Sequence, residues 1–220
     1  MDETIKRVAL YILPFLFSLC FHEYAHAWVA NKMGDPTAKY NGRLTLNPLA
    51  HIDFMWTIIF PIITLIIGGI YFGAAKPVPV DARNFKNPEK GMAIVAAAGP
   101  ISNMLLGFFF AFLFIVVKIF YPEGRFFSPL SEMLNAGILI NFFLAFFNLF
   151  PLPPLDGSRI LRMLLPYNAA IRFDMMTPYS FMLIIALWYL GVLNFFVYFP
   201  AIFLYKQSVL GAYHLIVGFM

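Results

Sequence analysis

The chain has 220 residues, of which 61% are hydrophobic and only 12% are charged, and its formal net charge at pH 7 is +4. This composition excludes an ordinary soluble domain, which does not need so much apolar surface. Several apolar stretches reach the roughly 20 residues that cross a hydrocarbon core. The basic residues lie in the loops beside these stretches, which indicates contact with lipid headgroups rather than with nucleic acid. We predict an all-α polytopic membrane protein with a single integral-membrane domain over residues 1–220.

The first predicted span covers about residues 8–32 and contains the sequence His22-Glu23-Tyr-Ala-His26. Residues four apart lie on the same face of a helix, so that the two imidazoles can hold one metal ion. Glu23 lies where its carboxylate can reach a metal-bound water without being a ligand. This arrangement is typical of zinc peptidases, in which the glutamate is the general base. Ionisable groups are costly inside a membrane span and normally mark a function.

A polar region follows at residues 37–47, and it contains the turn dipeptide Asn41-Gly42. Because this dipeptide allows positive φ angles, we predict a short β-hairpin on the cytoplasmic side. A further extended piece is predicted at residues 75–80, whose prolines confine it to a sheet edge. The apolar residues 52–72 lie between these pieces and could either cross the bilayer or dip into it and return.

Long apolar stretches predict the remaining spans at about residues 92–121, 132–150, 179–199 and 201–220. The 132–150 span ends at a proline-rich break over residues 151–157. A short amphipathic helix is predicted directly after this break, at residues 158–165. The last two stretches form either one or two spans, and the topology after Val192 stays open.

A catalytic zinc usually has three protein ligands and keeps one position for water. Asp156 is the best candidate for the third ligand, because it lies in the proline-rich break, where the backbone leaves helical geometry and can direct a carboxylate inward. His51 and His214 lie near the predicted interfaces and are predicted not to be ligands. Asp53 is predicted to be a helix N-cap.

A metal shared by His22, His26 and Asp156 also constrains the topology, because the spans that carry these residues must end on the same side of the membrane. Residues 52–72 must then be re-entrant, with Pro61 at the bend. Most of the basic loop residues lie on the metal's side, so that the positive-inside rule places the metal nearer the cytoplasmic face and the N-terminus outside. These basic residues are Lys32, Lys39, Arg43, Lys76, Arg83, Lys86, Lys90, Arg159, Arg162 and Arg172.

Three stretches together carry a resemblance to the site-2 protease family of intramembrane zinc metalloproteases. They are F-H-E-Y-A-H at residues 21–26, A-G-P-I-S-N at residues 98–103, and N-L-F-P-L-P-P-L-D-G at residues 148–157. The resemblance implies three core spans around one zinc ion held by His22, His26 and Asp156, with Glu23 as general base. It also implies that Asn103 and Asn148 hold the substrate or the geometry of the active site. Family members often carry a soluble peptide-binding or nucleotide-sensing domain, and this sequence resembles a compact member without one.

The activity implied by the resemblance is hydrolysis of a peptide bond within or near a transmembrane segment of a membrane protein. We expect the chain to lie in a prokaryotic cell (inner) membrane, without a nucleic-acid partner. The predicted hairpin and the extended piece could capture the unwound substrate as an additional strand, or simply connect the spans.

Several alternatives stay open at this point. Asn103 and Asn148 could contact a tetrahedral oxyanion, or they could form hydrogen bonds between helices. A metal-ion transporter or a non-catalytic membrane scaffold could also contain metal-binding residues inside a span. Replacement of Glu23 by glutamine discriminates these functions, because only the protease should keep its zinc and lose cleavage.

Overall fold

The computed structural model describes residues 3–59, 75–121 and 127–218. The regular structure of these residues is helical throughout, which confirms the predicted all-α class but not the predicted hairpin. Short 3-10 and π-helical segments connect or extend the α-helices, and one π-helical segment, Asn194–Tyr198, leads directly into the last helix. The α-helices are α1 (Glu3–Lys32), α2 (Thr37–Tyr40), α3 (Pro88–Phe120), α4 (Phe127–Leu149), α5 (Asp156–Leu164), α6 (Tyr167–Asp174), α7 (Ser180–Tyr189) and α8 (Phe199–Gly218).

Four helical stretches of the described residues are long and apolar enough to cross a membrane, by length and composition. They are Pro88–Phe120, Phe127–Leu149, Tyr167–Tyr189 and Asn194–Gly218. The last two differ in their bounds from the predicted spans at residues 179–199 and 201–220. The reason is Gly191, whose positive φ of 74° ends α7 in a turn before the final helix begins.

Helices α1, α3, α4 and α8 pack around a core of interdigitating apolar side chains. Phe142 and Ile138 on α4 are fully buried, and they contact Leu106 and Phe110 of α3 and Ala201 of α8. Lipid tails are as apolar as these side chains, so that close van der Waals packing, rather than exclusion of water, stabilises such a core inside a bilayer.

The predicted hairpin at residues 37–47 is wrong. Thr37–Tyr40 form a helical turn, and Asn41 follows it as the C-terminal cap. The next residue, Gly42, has a φ of +66°. A glycine with positive φ ends a helical turn as readily as it forms a hairpin, and the dipeptide alone does not distinguish the two.

The extended piece predicted at residues 75–80 is also not part of a sheet, since the described residues contain no strand. Its polar backbone groups bond instead to side chains and loop carbonyls. The re-entrant prediction for residues 52–72 falls mostly on residues 60–74, which lie outside the described residues. Only its beginning, the π-helical segment Phe54–Ile59, is described.

The segment Tyr167–Tyr189 begins and ends near the end of the bundle where α3 begins and α4 ends. At the end of its first helix, α6, Asp174 pairs with Arg162 of α5, which also contacts Glu89 in the first turn of α3. After its end, Leu193 and Val197 pack with Phe147, Leu152 and Leu155, close to the end of α4. Helix α8 then runs antiparallel to α4, because its Tyr205 hydroxyl donates to Asn135 near the beginning of α4, at 2.6 Å.

Candidate metal centre

Two elements place three metal-binding side chains against one another. His22 and His26 lie one turn apart near the end of α1, and their Nε2 atoms are 3.0 Å apart. Asp156 is the first residue of α5, after the proline-rich break, and its Oδ2 lies 3.1 Å from His22 Nε2 and 3.3 Å from His26 Nε2. The structure therefore brings together the three residues that the sequence predicts as metal ligands.

This triangle fits a zinc ion in its dimensions and its chemistry. Zinc binds imidazole nitrogen and carboxylate oxygen at about 2.0–2.2 Å, which places tetrahedral ligand atoms about 3.3–3.6 Å apart. The three donor atoms are 3.0 to 3.3 Å apart. The Asp156 Oδ2 atom is buried and accepts no hydrogen bond from the described residues, so that its lone pairs are available to a metal.

The other ring nitrogen of each histidine has a hydrogen-bond partner that fixes the tautomer. His26 Nδ1 lies 2.7 Å from the carbonyl oxygen of Val95, and His22 Nδ1 lies 2.6 Å from Asn103 Oδ1. Both partners are acceptors, so that each Nδ1 carries the proton and each Nε2 presents a lone pair. Such outer contacts orient the imidazoles of metal sites and raise their basicity.

Asn103 belongs to a fully buried polar network that joins three helices. Its amide donates to Ser18 O on α1 at 3.2 Å and to Asn141 Oδ1 on α4 at 2.8 Å. Asn141 in turn donates to Ser18 Oγ and to Gly137 O, both at 2.8 Å. Ser18, Asn103 and Asn141 have no exposed surface.

Sequence reasoning missed Ser18 and Asn141. A signal for Asn141 was present, since it lies seven residues before Asn148 and therefore on a similar face of the same apolar helix.

The two predicted asparagines differ in their surroundings. Both hydrogens of the Asn103 amide are donated inside the network, which favours the role of holding His22 over contact with an oxyanion. Asn148 is half-buried and donates to Leu144 O in its own helix at 3.0 Å. This bond connects it to the end of α4, and no hydrogen bond among the described residues connects it to the histidines.

Glu23 is buried beside the histidines, with 9% of its surface exposed. Its Oε2 accepts a hydrogen bond of 2.9 Å from the backbone amide of Val78. The sequence predicts the position of this carboxylate on α1 but not the contact, which joins residues 55 positions apart.

Helix α3 passes so close to the histidines that only glycine fits at residue 99. A Cβ atom at Gly99 would lie 2.5 Å from His26 Nε2 and 2.5 Å from His22 Cε1. The glycine at residue 157 has a comparable role, because a Cβ there would lie 2.1 Å from the carbonyl oxygen of Leu149. Both glycines thus permit the approach of α3 and α5 that assembles the centre.

The remaining candidates lie apart from the triangle. His51 is buried, and its Nε2 lies 2.8 Å from Thr45 O. His214 is exposed on α8, with its ring against that of Tyr213. Asp53 Oδ1 accepts from the amide of Met55 at 3.0 Å, which confirms its predicted role as a cap. Among the described residues, the group able to hold a metal is His22, His26 and Asp156.

Known proteins share this sequence over most of its length. Residues 10–191 match the family described as Peptidase family M50. YwhC of Bacillus subtilis, whose name calls it a candidate zinc metalloprotease, is 37% identical over 90% of this chain and 88% of its own length. MJ0611 of Methanocaldococcus jannaschii, with a name of the same kind, is 35% identical over 69% of this chain and 72% of its own length.

A third relative is longer than this chain. Rip2 of Mycolicibacterium smegmatis, again named as a candidate zinc metalloprotease, is 32% identical over 67% of this chain. The matched region covers about half (54%) of the length of Rip2. No solved structure matches. The resemblance to the site-2 protease family is thereby confirmed, and the chain belongs to peptidase family M50.

Proposed function

We propose that this chain is a zinc-dependent endopeptidase that hydrolyses a peptide bond within or near a transmembrane segment of membrane-protein substrates. The observation that carries the proposal is the convergence of His22, His26 and Asp156 to within 3.3 Å at one end of an apolar helix bundle. The membership in a peptidase family supports it, and so do the names of the relatives.

The Nε2 atoms of His22 and His26 and the Oδ2 atom of Asp156 would hold one zinc ion. Zinc, when bound, supplies the Lewis acidity that activates a water molecule and polarises the scissile carbonyl. The chain's own contribution is orientation, since Asn103 and the Val95 carbonyl keep both Nε2 lone pairs directed at one point.

Glu23 is the general base of the proposed reaction. Its carboxylate accepts the proton of the attacking water and later donates it to the leaving amide nitrogen. The Val78 amide occupies one carboxylate oxygen and holds the group in place, so that the other oxygen is available to the water. Burial of Glu23 keeps bulk water from competing for this proton.

A helical substrate must unwind before cleavage, because its peptide groups are engaged in hydrogen bonds within the helix. Residues 75–80 run beside Glu23 through the Val78 contact and therefore border the place of the scissile bond. The amides of Lys76 and Val78 are already bonded, and so are the carbonyls of Lys76 and Pro77, so that pairing of a substrate strand with this segment would depend mainly on the carbonyls from Val78 onward.

The proposed topology has the N-terminus outside and the centre near the cytoplasmic face of a prokaryotic cell membrane, as the positive-inside rule indicates. Segment Tyr167–Tyr189 then stays at the cytoplasmic side, since both its ends lie near the same end of the bundle. Helix α8 carries the C-terminus to the outer side. A reporter fused after residue 218 tests this arrangement, and a cytoplasmic location there would contradict it.

The decisive experiment compares membrane-protein fragments, by quantitative proteomics, in cells that express the natural chain or its Glu23→Gln variant. We expect fragments that depend on Glu23, together with unchanged zinc content in the purified variant. Glu132→Gln, at an exposed site on α4, is the matched control and should cleave normally. Identical fragments in all three strains contradict proteolysis, and metal flux into vesicles that is unaffected by Glu23→Gln would favour a transporter.

A further inference from the structure

The residues 75–81, called the strap, are held against earlier parts of the chain by their backbone amides. Three amides of the strap donate hydrogen bonds to acceptors that precede it by 25 to 55 residues in the sequence. The bonds are Lys76 N to His51 O at 2.9 Å, Val78 N to Glu23 Oε2 at 2.9 Å and Asp81 N to Asp35 Oδ2 at 2.8 Å. The middle bond reaches the proposed general base.

The side chain that binds the carbonyls of the strap is Arg43. It is buried, with 8% of its surface exposed, and its guanidinium donates to Lys76 O at 2.6 Å and to Pro77 O at 3.3 Å. A further bond goes to Ala50 O. Among the described residues no carboxylate pairs with Arg43, so that its buried charge is compensated by these carbonyl groups.

The backbone of the strap has little conformational freedom between the residues that Arg43 contacts and the amide that reaches Glu23. Pro77 and Pro79 flank Val78, and each proline fixes its own φ near −65°. A proline also restricts the residue before it to extended conformations, and this applies to Val78. A clamp on the carbonyls of residues 76 and 77 therefore determines where the amide of residue 78 points.

We propose that Arg43 is a positioning residue for Glu23: by clamping the strap, it holds the Val78 amide against one carboxylate oxygen and so fixes the orientation of the other. Hydrogen bonds to a carboxylate are about twice as strong as those between neutral groups, and a glutamate without this bond has three side-chain torsions to sample. The function of Glu23 in this statement rests on the proposed peptidase activity, whereas the clamp itself does not.

Hydrogen exchange of the metal-free, full-length protein in lipid nanodiscs tests the clamp without any substrate. We expect Glu23→Ala and Arg43→Gln each to accelerate exchange of the Val78 amide about tenfold or more, because both release the same bond. Arg172→Gln, which changes an exposed arginine on α6, is the matched control and should leave this amide unchanged. Unchanged exchange at Val78 in Arg43→Gln overturns the proposal.

Kinetics then test the consequence for Glu23, with a doubly tagged reporter whose single apolar transmembrane segment is interrupted by Asn-Gly. We expect Arg43→Gln and Val78→Pro to keep their zinc content and KM while kcat falls about tenfold or more. Arg172→Gln, at an exposed site on α6, is again the control and should remain near the natural chain. Arg43→Lys should restore only part of kcat, since lysine lacks the planar fork.

A kcat that is unchanged or raised in Arg43→Gln overturns the positioning role, and the raised value would identify the strap as inhibitory. A loss confined to zinc content or to KM overturns it as well. If the natural chain cleaves neither the reporter nor any cellular protein, the proposed function fails, whereas hydrogen exchange still decides whether the clamp exists.

Discussion

Two polar networks support the candidate metal centre, and they are built from different chemical groups. The network inside the helix bundle, called the inner network, consists of Ser18, Asn103 and Asn141, all uncharged and fully buried. The second network, called the rim network, consists of the charged side chains Asp35 and Arg43, which bind the backbone of the strap. A buried charge is expensive in a bilayer, and neutral amides that satisfy one another are less so. In the proposed topology, a difference in depth in the membrane explains this choice of groups.

The centre that both networks support should be the most sensitive part of the molecule. Replacement of Asp156 by alanine removes one of three donor atoms, and we expect zinc content to fall below about a tenth of that of the natural chain, with loss of cleavage. Elemental analysis of the purified protein measures the metal. His214→Ala, at an exposed position on α8, should retain full occupancy. Zinc bound equally well by the Asp156 variant would show that the metal lies elsewhere.

Gly99→Ala tests how closely α3 is packed against the two histidines. The added methyl group would lie 2.5 Å from His26 Nε2, so that an imidazole or α3 must move. We expect zinc affinity to fall about 10- to 100-fold. The control is Gly211→Ala, where a Cβ meets nothing within 4 Å. Competition with a chelator of known affinity measures both variants, and equal affinities contradict the described packing.

Asn141→Leu tests the inner network at a residue that does not touch the histidines. Leucine is similar in size but cannot accept from Asn103, so that the partner of His22 loses one of its own contacts. We expect about a tenfold weaker zinc affinity and a loss of about 1–3 kcal/mol in the free energy of unfolding. Asn148→Leu, which removes a bond within its own helix, should change zinc affinity less. The reverse order of the two effects would contradict the network.

The contribution of the rim network to the stability of the fold should depend on pH in the acid range, whereas that of the neutral inner network should not. Burial raises the pKa of the Asp35 carboxyl, but hydrogen bonds from Thr37, Asn84 and the Asp81 amide lower it more, so that the pKa lies below its ordinary value. A carboxyl with a lowered pKa stabilises the fold above about pH 4 and loses that contribution as the pH falls further.

The corresponding variant is Asp35→Asn, for which we expect a loss of about 1–3 kcal/mol in unfolding free energy near neutral pH. Because its side chain no longer titrates, the difference from the natural chain should shrink below about pH 4. Thermal unfolding in detergent over a pH series measures both quantities. A difference that stays constant down to pH 3 would remove Asp35 as the source of the acid dependence.

Local patterns in the sequence were sufficient for the parts of the site that lie on one element. The spacing of His22 and His26 places both rings on one face of a helix, and the proline-rich break marks Asp156 as a side chain able to turn inward. The hairpin prediction also rested on a local signal, the turn dipeptide at Asn41. It failed because this dipeptide is compatible with two local structures, a hairpin turn and the end of a helical turn. Gly99 lies within a motif that the sequence analysis singled out. Its close approach to the imidazole rings, however, became visible only in the packed helices.

The sequence by itself determined that this is a helical membrane protein with a metal-binding pair on its first helix, since composition and helical periodicity are properties of the chain alone. Only the tertiary structure decided which neutral amides orient the histidines, which arginine clamps the strap, and that the Val78 amide meets Glu23. These contacts join residues between 33 and 123 positions apart. No periodicity encodes such pairs, because they exist only after the helices have packed.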